Sequence, residues 1–232
     1  MVKLMEYAQW KELLQSSSLP AGVIDQDAFD RNIEKIAHSV HQSGQSIRVA
    51  TKSVRSPGLL KRILDYGPPF SGLMCFSAYE VKFLFSLGFD DFLLAYPTLN
   101  AGELNALKEV HLQGGKVSVV VDSEYHLRVL NQGMEGVENP IPFIVDVDAS
   151  LRLLGGLIHL GVRRSPLRNS KQVLELLNTA RRYSNVSFHG LMVYEAQVAG
   201  LGDQNPFKKL LNPIFRLVRK QSIKSVLRLR KK

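Results

Sequence analysis

The sequence predicts an α/β domain, a (β/α)8 barrel of the TIM type that is incomplete at its C-terminal end. Three observations carry this. Short apolar, β-branched runs alternate with helical patterns, and unbroken apolar runs suit parallel strands buried on both faces. Most runs begin roughly 20–25 residues apart, the length of one strand–helix unit. No Gly-x-Gly-x-x-Gly follows the first run, as a dinucleotide-binding sheet would carry.

The elements follow in order. Gly22-Val23-Ile24-Asp25 is the first run, and Phe29, Ile33, Ile36 and Val40 then make a helical stripe. Ile47-Arg48-Val49-Ala50-Thr51 is the second run, followed by Ser56-Pro57, an N-cap with proline in the first turn. The third, Gly72 to Phe76, leads to Ser77-Ala78-Tyr79-Glu80, which has capping-box spacing. The fourth, Asp91 to Ala95, leads to Asn100-Ala101-Gly102-Glu103, a similar helix opening. Lys116 to Val121 and Pro142 to Val147 are the fifth and sixth. Ser170 precedes Val173, Leu176, Leu177 and Ala180, and Val186 to Tyr194 is the seventh run. Gly88, Gly114-Gly115 and Gly133 stand where helix C-caps are expected. Seven runs are one short of a closed barrel, so the chain reads as a fragment without the last strand.

Residues 1–203 are assigned to the barrel, and 204–232 to a basic helical segment that continues it. The formal net charge of +9 sits in that segment: after Asp203 there are ten Lys+Arg and no acid, which leaves 9 − 10 = −1 for residues 1–203. The near-neutral body argues against a nucleic-acid groove. The segment is expected to dock as a helix over 207–219, break at Asn212-Pro213, and continue as a separate helix over 221–232; no membrane or nucleic-acid partner is expected. With 45% hydrophobic and 22% charged residues the chain has enough apolar material for a core. One cysteine, Cys75, excludes a disulfide framework. No apolar run reaches the ~20 residues of a membrane span, and Met1 to Tyr7 lacks the apolar core of a secretory signal. A cytoplasmic setting is the default.

Barrel chemistry sits at the carboxyl ends of the strands. Those ends are Asp25, Thr51-Lys52-Ser53, Phe76-Ser77, Tyr96-Pro97, Asp122-Ser123, Asp146-Val147-Asp148 and Tyr194-Glu195. Lys52 leads the list. A lysine directly after an apolar strand is either ion-paired or a nucleophile, and Arg48 and Arg55 nearby would favour the uncharged amine. Tyr194 alternates with Gly190 and Met192, so all three should point into the barrel. His189 is out of phase and should face the helices. The loop Leu160-Gly161-Val162-Arg163-Arg164-Ser165-Pro166 puts Arg163 and Arg164 near the mouth, where a guanidinium fork suits a substrate carboxylate. No metal-ligand cluster is visible.

The segment Ile47 to Ser53 resembles the cofactor-lysine strand of the fold-type III pyridoxal phosphate enzymes: the alanine racemase N-terminal domain, D-threonine aldolase and D-serine dehydratase group. Pro20 to Asn32, Gly72 to Glu80, Val145 to Arg152 and Gly190 to Glu195 resemble later segments of that family in order, from about residue 20 to about 200. The resemblance implies pyridoxal 5'-phosphate as cofactor, held as a Schiff base by Lys52. It implies Arg152 as a cofactor-facing arginine, Tyr194 beside the cofactor ring, and a homodimer for the full-length form. It further implies an amino-acid racemase, D-amino-acid aldolase or deaminase. A non-catalytic pyridoxal phosphate-binding homeostasis protein is the alternative; its length fits, but no Phe-Gly-Glu-Asn-like segment stands after the third run. The Gly/Ser-rich phosphate turn expected late in the barrel is absent after Tyr194.

Overall fold

A computed structural model describes residues 6–18, 20–153, 156–200, 210 and 212–229. Two compact units are present, Met1–Gln45 and Ser46–Lys232.

The first unit is helical: α1 (Tyr7–Leu13), α2 (Gln26–Val40) and a 3-10 turn, His41–Ser43. The first predicted strand does not form. Residues 22–25 pair with no strand, and Asp25 instead caps α2, its Oδ1 accepting from the Ala28 amide at 2.9 Å. A short polar residue in front of an amphipathic run satisfies the orphan amides of a helix start, and that local gain wins over a four-residue strand. Ile33 and Ala37 are the buried residues of α2, while Ile36 from the predicted stripe is exposed.

The second unit is built on six parallel strands: β1 (Ile47–Ala50), β2 (Phe70–Cys75), β3 (Phe92–Leu94), β4 (Val117–Val121), β5 (Ile141–Val147) and β8 (Val186–Val193). They lie in that order, with β8 beside β5 after the chain between them has left the sheet, the sequential order a barrel demands. Helices α3 (Pro57–Asp65), α4 (Ala78–Ser86), α5 (Ala101–Leu112), α6 (Glu124–Gly133) and α7 (Ser170–Ala180) connect them. Ser77, Asn100 and Ser123 cap their helices through the amides of Glu80, Glu103 and His126. Asn169, rather than Ser170, caps α7. Gly88 and Gly114 take the left-handed conformation as expected; Gly133 stays inside α6 and Gly136 turns the chain instead.

The core lies between the sheet and its helices. Leu73, Phe92, Val119 and Phe143 pack there with Leu60, Val81, Leu107 and Leu130. Each such side chain contributes about 2 kcal/mol of burial before entropy is counted. The other face of the sheet carries Ser118, Ile144, Asp146 and Met192, which faces Asp146 across the β5–β8 ladder.

Three features depart from expectation. An antiparallel hairpin, β6 (Leu151–Leu153) with β7 (Ile158–Leu160), follows β5. A bulge in β8 pairs Phe188 with Phe143 and Gly190 with Ile144, leaving His189 as the extra residue. A bulge re-aims its side chain. His189 lines a cavity of about 610 Å³ with Asp91, His111 of α5, Lys116, Ser118 and Pro142. That cavity lies at the amino ends of the strands, opposite Lys52. Lastly, after the short α8 (Ala196–Ala199), α9 runs unbroken over Asn212–Leu229. Pro213 stands in its first turn, where a missing amide costs nothing, and no break separates 212–219 from 221–229; residues 211 and 230–232 lie outside the described residues. Residues 207–209 of the expected helix lie outside the described residues. α9 packs on α8 and β6.

Candidate active site

Lys52 sits in a 3-10 turn, Thr51–Ser53, directly after β1. Buried Thr51 pins this turn to the next strand, its hydroxyl donating to the Met74 carbonyl at 3.1 Å. The lysine side chain is exposed and pairs with no acid among the described residues. Arg48 is not its neighbour in charge. Its guanidinium crosses β2 at Gly72 to reach Asp91 at the amino end of β3, with Nη2–Oδ1 2.8 Å.

The carboxyl ends of β2, β3, β5 and β8 converge on Arg164. Its guanidinium lies 4.6 Å from the Tyr96 ring centre and 5.8 Å from that of Tyr194. Its Nη2 donates to the Ala95 carbonyl at 2.5 Å, and its Nε faces Asp146 Oδ2 at 3.2 Å. Phe76 meets Tyr96 edge-on, with centroids 5.3 Å apart. Phe76 is 67% exposed, Tyr96 41% and Tyr194 43%, so the rings wall an open mouth. Burial raises the Asp146 carboxyl above its ordinary range; Arg164 opposes this, and the carboxylates of Asp122 and Asp148 reinforce it. Asp122, at the end of β4, is contacted by His126 Nδ1 at 2.8 Å.

The predicted residues divide into two groups. Tyr194 and Arg164 are brought together, and Tyr194 points inward as its alternation requires. Arg164 is partly engaged within the protein, its Nε by Asp146 and its Nη2 by the Ala95 carbonyl. Arg163, beside it, is exposed. Arg152 belongs to a different cluster. It lies on β6 and approaches Asp148 Oδ2 at 3.2 Å. The same buried carboxylate accepts from the Ser150 amide at 2.8 Å, the Ser150 hydroxyl at 3.0 Å, and Arg168. Arg168 also donates to the Ser150 carbonyl at 3.0 Å, so it braces the turn after β5. The sequence reading passed over Arg168, which carries no pattern of its own. Tyr96 and Asp146 were visible as strand ends, but their shared partner was not. Among the described residues no cluster of three metal-ligating side chains forms.

Comparison with known proteins gives the lineage. A family model described as the alanine racemase N-terminal domain matches residues 24–223. A D-threonine aldolase from Arthrobacter sp is 24% identical over 191 residues, covering 82% of this chain and 47% of that protein. A 3-hydroxy-D-aspartate aldolase from Paracoccus denitrificans is 22% identical over 183 residues, covering 79% and 44%. Among solved structures, D-threonine aldolase from Filomicrobium marinum superposes with a TM-score of 0.66 at 20% identity, over 90% of this chain and 52% of the other. D-threo-3-hydroxyaspartate dehydratase from Delftia sp. HT23 gives 0.66 at 18% identity, over 92% and 52%. The chain thus spans about half the length of these relatives. With a family match that runs from residue 24 to residue 223, over most of its length, the chain belongs to the alanine racemase N-terminal domain family.

Proposed function

We propose that this chain is the cofactor-binding barrel of a pyridoxal 5'-phosphate-dependent enzyme acting on D-amino acids, of the aldolase or dehydratase type. The observation that carries the reading is Lys52, unpaired and exposed at the carboxyl end of β1, on a turn pinned by Thr51. The residues at the carboxyl ends of the strands fit part of the group: the Lys52 amine for the aldehyde, and the rings of Phe76, Tyr96 and Tyr194 for the pyridine plane. Bound there, the cofactor supplies an electron sink for negative charge at the substrate Cα.

The chain's own residues have separable tasks. Lys52 Nζ would hold the cofactor through its aldehyde, and the same amine would serve to move a proton at the substrate Cα. Arg164, rather than Arg152, is the arginine that faces the cofactor, because it lies with Tyr194 in the mouth. Asp146 and the Ala95 carbonyl keep its fork from swinging. Arg163 is the free guanidinium for a substrate carboxylate. Arg152 and Arg168 act on Asp148 and hold the turn after β5. Glu195 follows β8, and an acid there suits a phosphate poorly; the phosphate's holder lies elsewhere. A homodimeric full-length enzyme in the cytoplasm belongs to the same reading.

The test is covalent trapping. Protein incubated with pyridoxal phosphate and reduced with borohydride should carry the label on the peptide containing Lys52, and Lys52→Ala should lose the visible absorption band. Lys61 and Lys82 are internal controls, since Asp65 and Glu109 already engage them. A label on those lysines with Lys52 unmodified would refute the assignment.

A further inference from the structure

We infer that α9 carries a docking face for an anionic phospholipid surface. The helix uses one side for the protein: Ser222 and Val226 are buried, and α8 and β6 lie beneath it. On the opposite side Leu217, Lys220, Lys224 and Leu227 recur at i, i+3, i+7 and i+10, a single stripe on a 3.6-residue helix. Leu217 is 59% and Leu227 49% exposed. Alongside, Arg216, Arg219, Lys220, Ile223 and Lys224 line a shallow pocket of about 280 Å³. No acidic residue occurs after Asp203, and Lys220 and Lys224, between the two leucines, are exposed.

The combination selects the partner. Water alone would leave two leucines exposed among cations with no gain. Nucleic-acid phosphates would use the cations and leave the leucines idle. An anionic bilayer uses both, because leucines enter the acyl boundary while lysines extend along their stems to the headgroups. The shallow cationic pocket matches a phosphate headgroup. No described helix is long and apolar enough to cross a membrane, so α9 would lie along the surface. The face is remote in kind from the Lys52 chemistry, and the inference stands independently of the proposed cofactor.

Flotation with vesicles tests it. The whole chain should bind vesicles of phosphatidylcholine with 30% phosphatidylserine at least tenfold better than phosphatidylcholine alone in 0.1 M salt. Lys220→Glu with Lys224→Glu should remove that preference. Leu217→Ser with Leu227→Ser, which leaves the charge unchanged, should weaken binding severalfold. Leu227→Trp in a Trp10→Phe background supplies a second readout, a blue-shifted emission on the mixed vesicles. Equal binding to both vesicle types, or unchanged binding after the leucine substitutions, would overturn the inference. So would no blue shift, or displacement from vesicles by duplex DNA at lower concentration than by phosphatidylserine.

Discussion

Gly72 decides whether β1 and β2 can keep the register that presents Lys52. Its φ is +67°, and an added Cβ would lie 2.3 Å from Arg48 Nη1 and 2.4 Å from the Asp91 carbonyl oxygen. Gly72→Ala therefore has two costs. Holding a side chain in the left-handed region costs about 1–2 kcal/mol. The clash also pushes Arg48 off Asp91. That pair is partly exposed, with side chains 32% and 46% accessible, so its loss is worth only about 1 kcal/mol. Backbone displacement to relieve the contact adds a similar amount. The sum is about 3 kcal/mol, or a fall in melting temperature of about 6–12 °C for a chain of this size. Gly136→Ala is the control. Its φ is +78° but nothing lies within 4 Å of the added Cβ, so only the backbone cost of about 1 kcal/mol applies. Urea denaturation of the two variants separates the contributions. If Gly72→Ala costs no more than Gly136→Ala, the crossing of Arg48 over β2 does not matter and the reasoning fails. Borohydride labelling at Lys52 should drop in Gly72→Ala and stay unchanged in Gly136→Ala.

Three other outcomes are expected. Arg164→Lys gives up stacking on two tyrosines and the fixed fork, about 2 kcal/mol, so pyridoxal phosphate should bind roughly 30-fold more weakly by fluorescence titration. Arg152→Lys should stay within about threefold, and the reverse order would return the cofactor role to Arg152. Asp146 holds its proton more tightly folded than unfolded, chiefly through burial, so its ionisation subtracts stability and that loss recedes as pH falls toward about 4. Stability of the parent relative to Asp146→Asn should therefore rise on acidification from pH 7, measured by urea midpoints; a fall would contradict the buried-carboxylate account. Cys75 is 1% exposed, and burial first, then Glu80, pushes its thiol up to about 12. Iodoacetamide at pH 8 should label it only as the chain unfolds, and rapid labelling of the native protein would show that β2 opens.

Much of the architecture was legible because it is local. Parallel strands packed under helices must be largely apolar, and the six runs that became β1 to β5 and β8 are dominated by apolar residues. Ser77 and Asn100 announced helix starts because a capping oxygen acts within three residues of itself. Lys52 was legible for the same reason: one strand and its next residue place it. The first run misled because Asp25 satisfies a helix as readily as a strand end. The run of one helix through 219–221 was not legible, since a proline breaks a helix interior but opens a helix start, and sequence alone does not say where the start falls. The site's inner arrangement was decided by tertiary structure. Arg164 reaches Ala95 across 69 residues, Arg48 reaches Asp91 across 43, and Arg168 reaches Ser150 across 18. Which of four arginines faces the mouth depends on which carboxylates and rings the packed strands bring within reach. His189 likewise kept a regular alternation in sequence until a bulge, set by pairing with β5, took it out of the ladder.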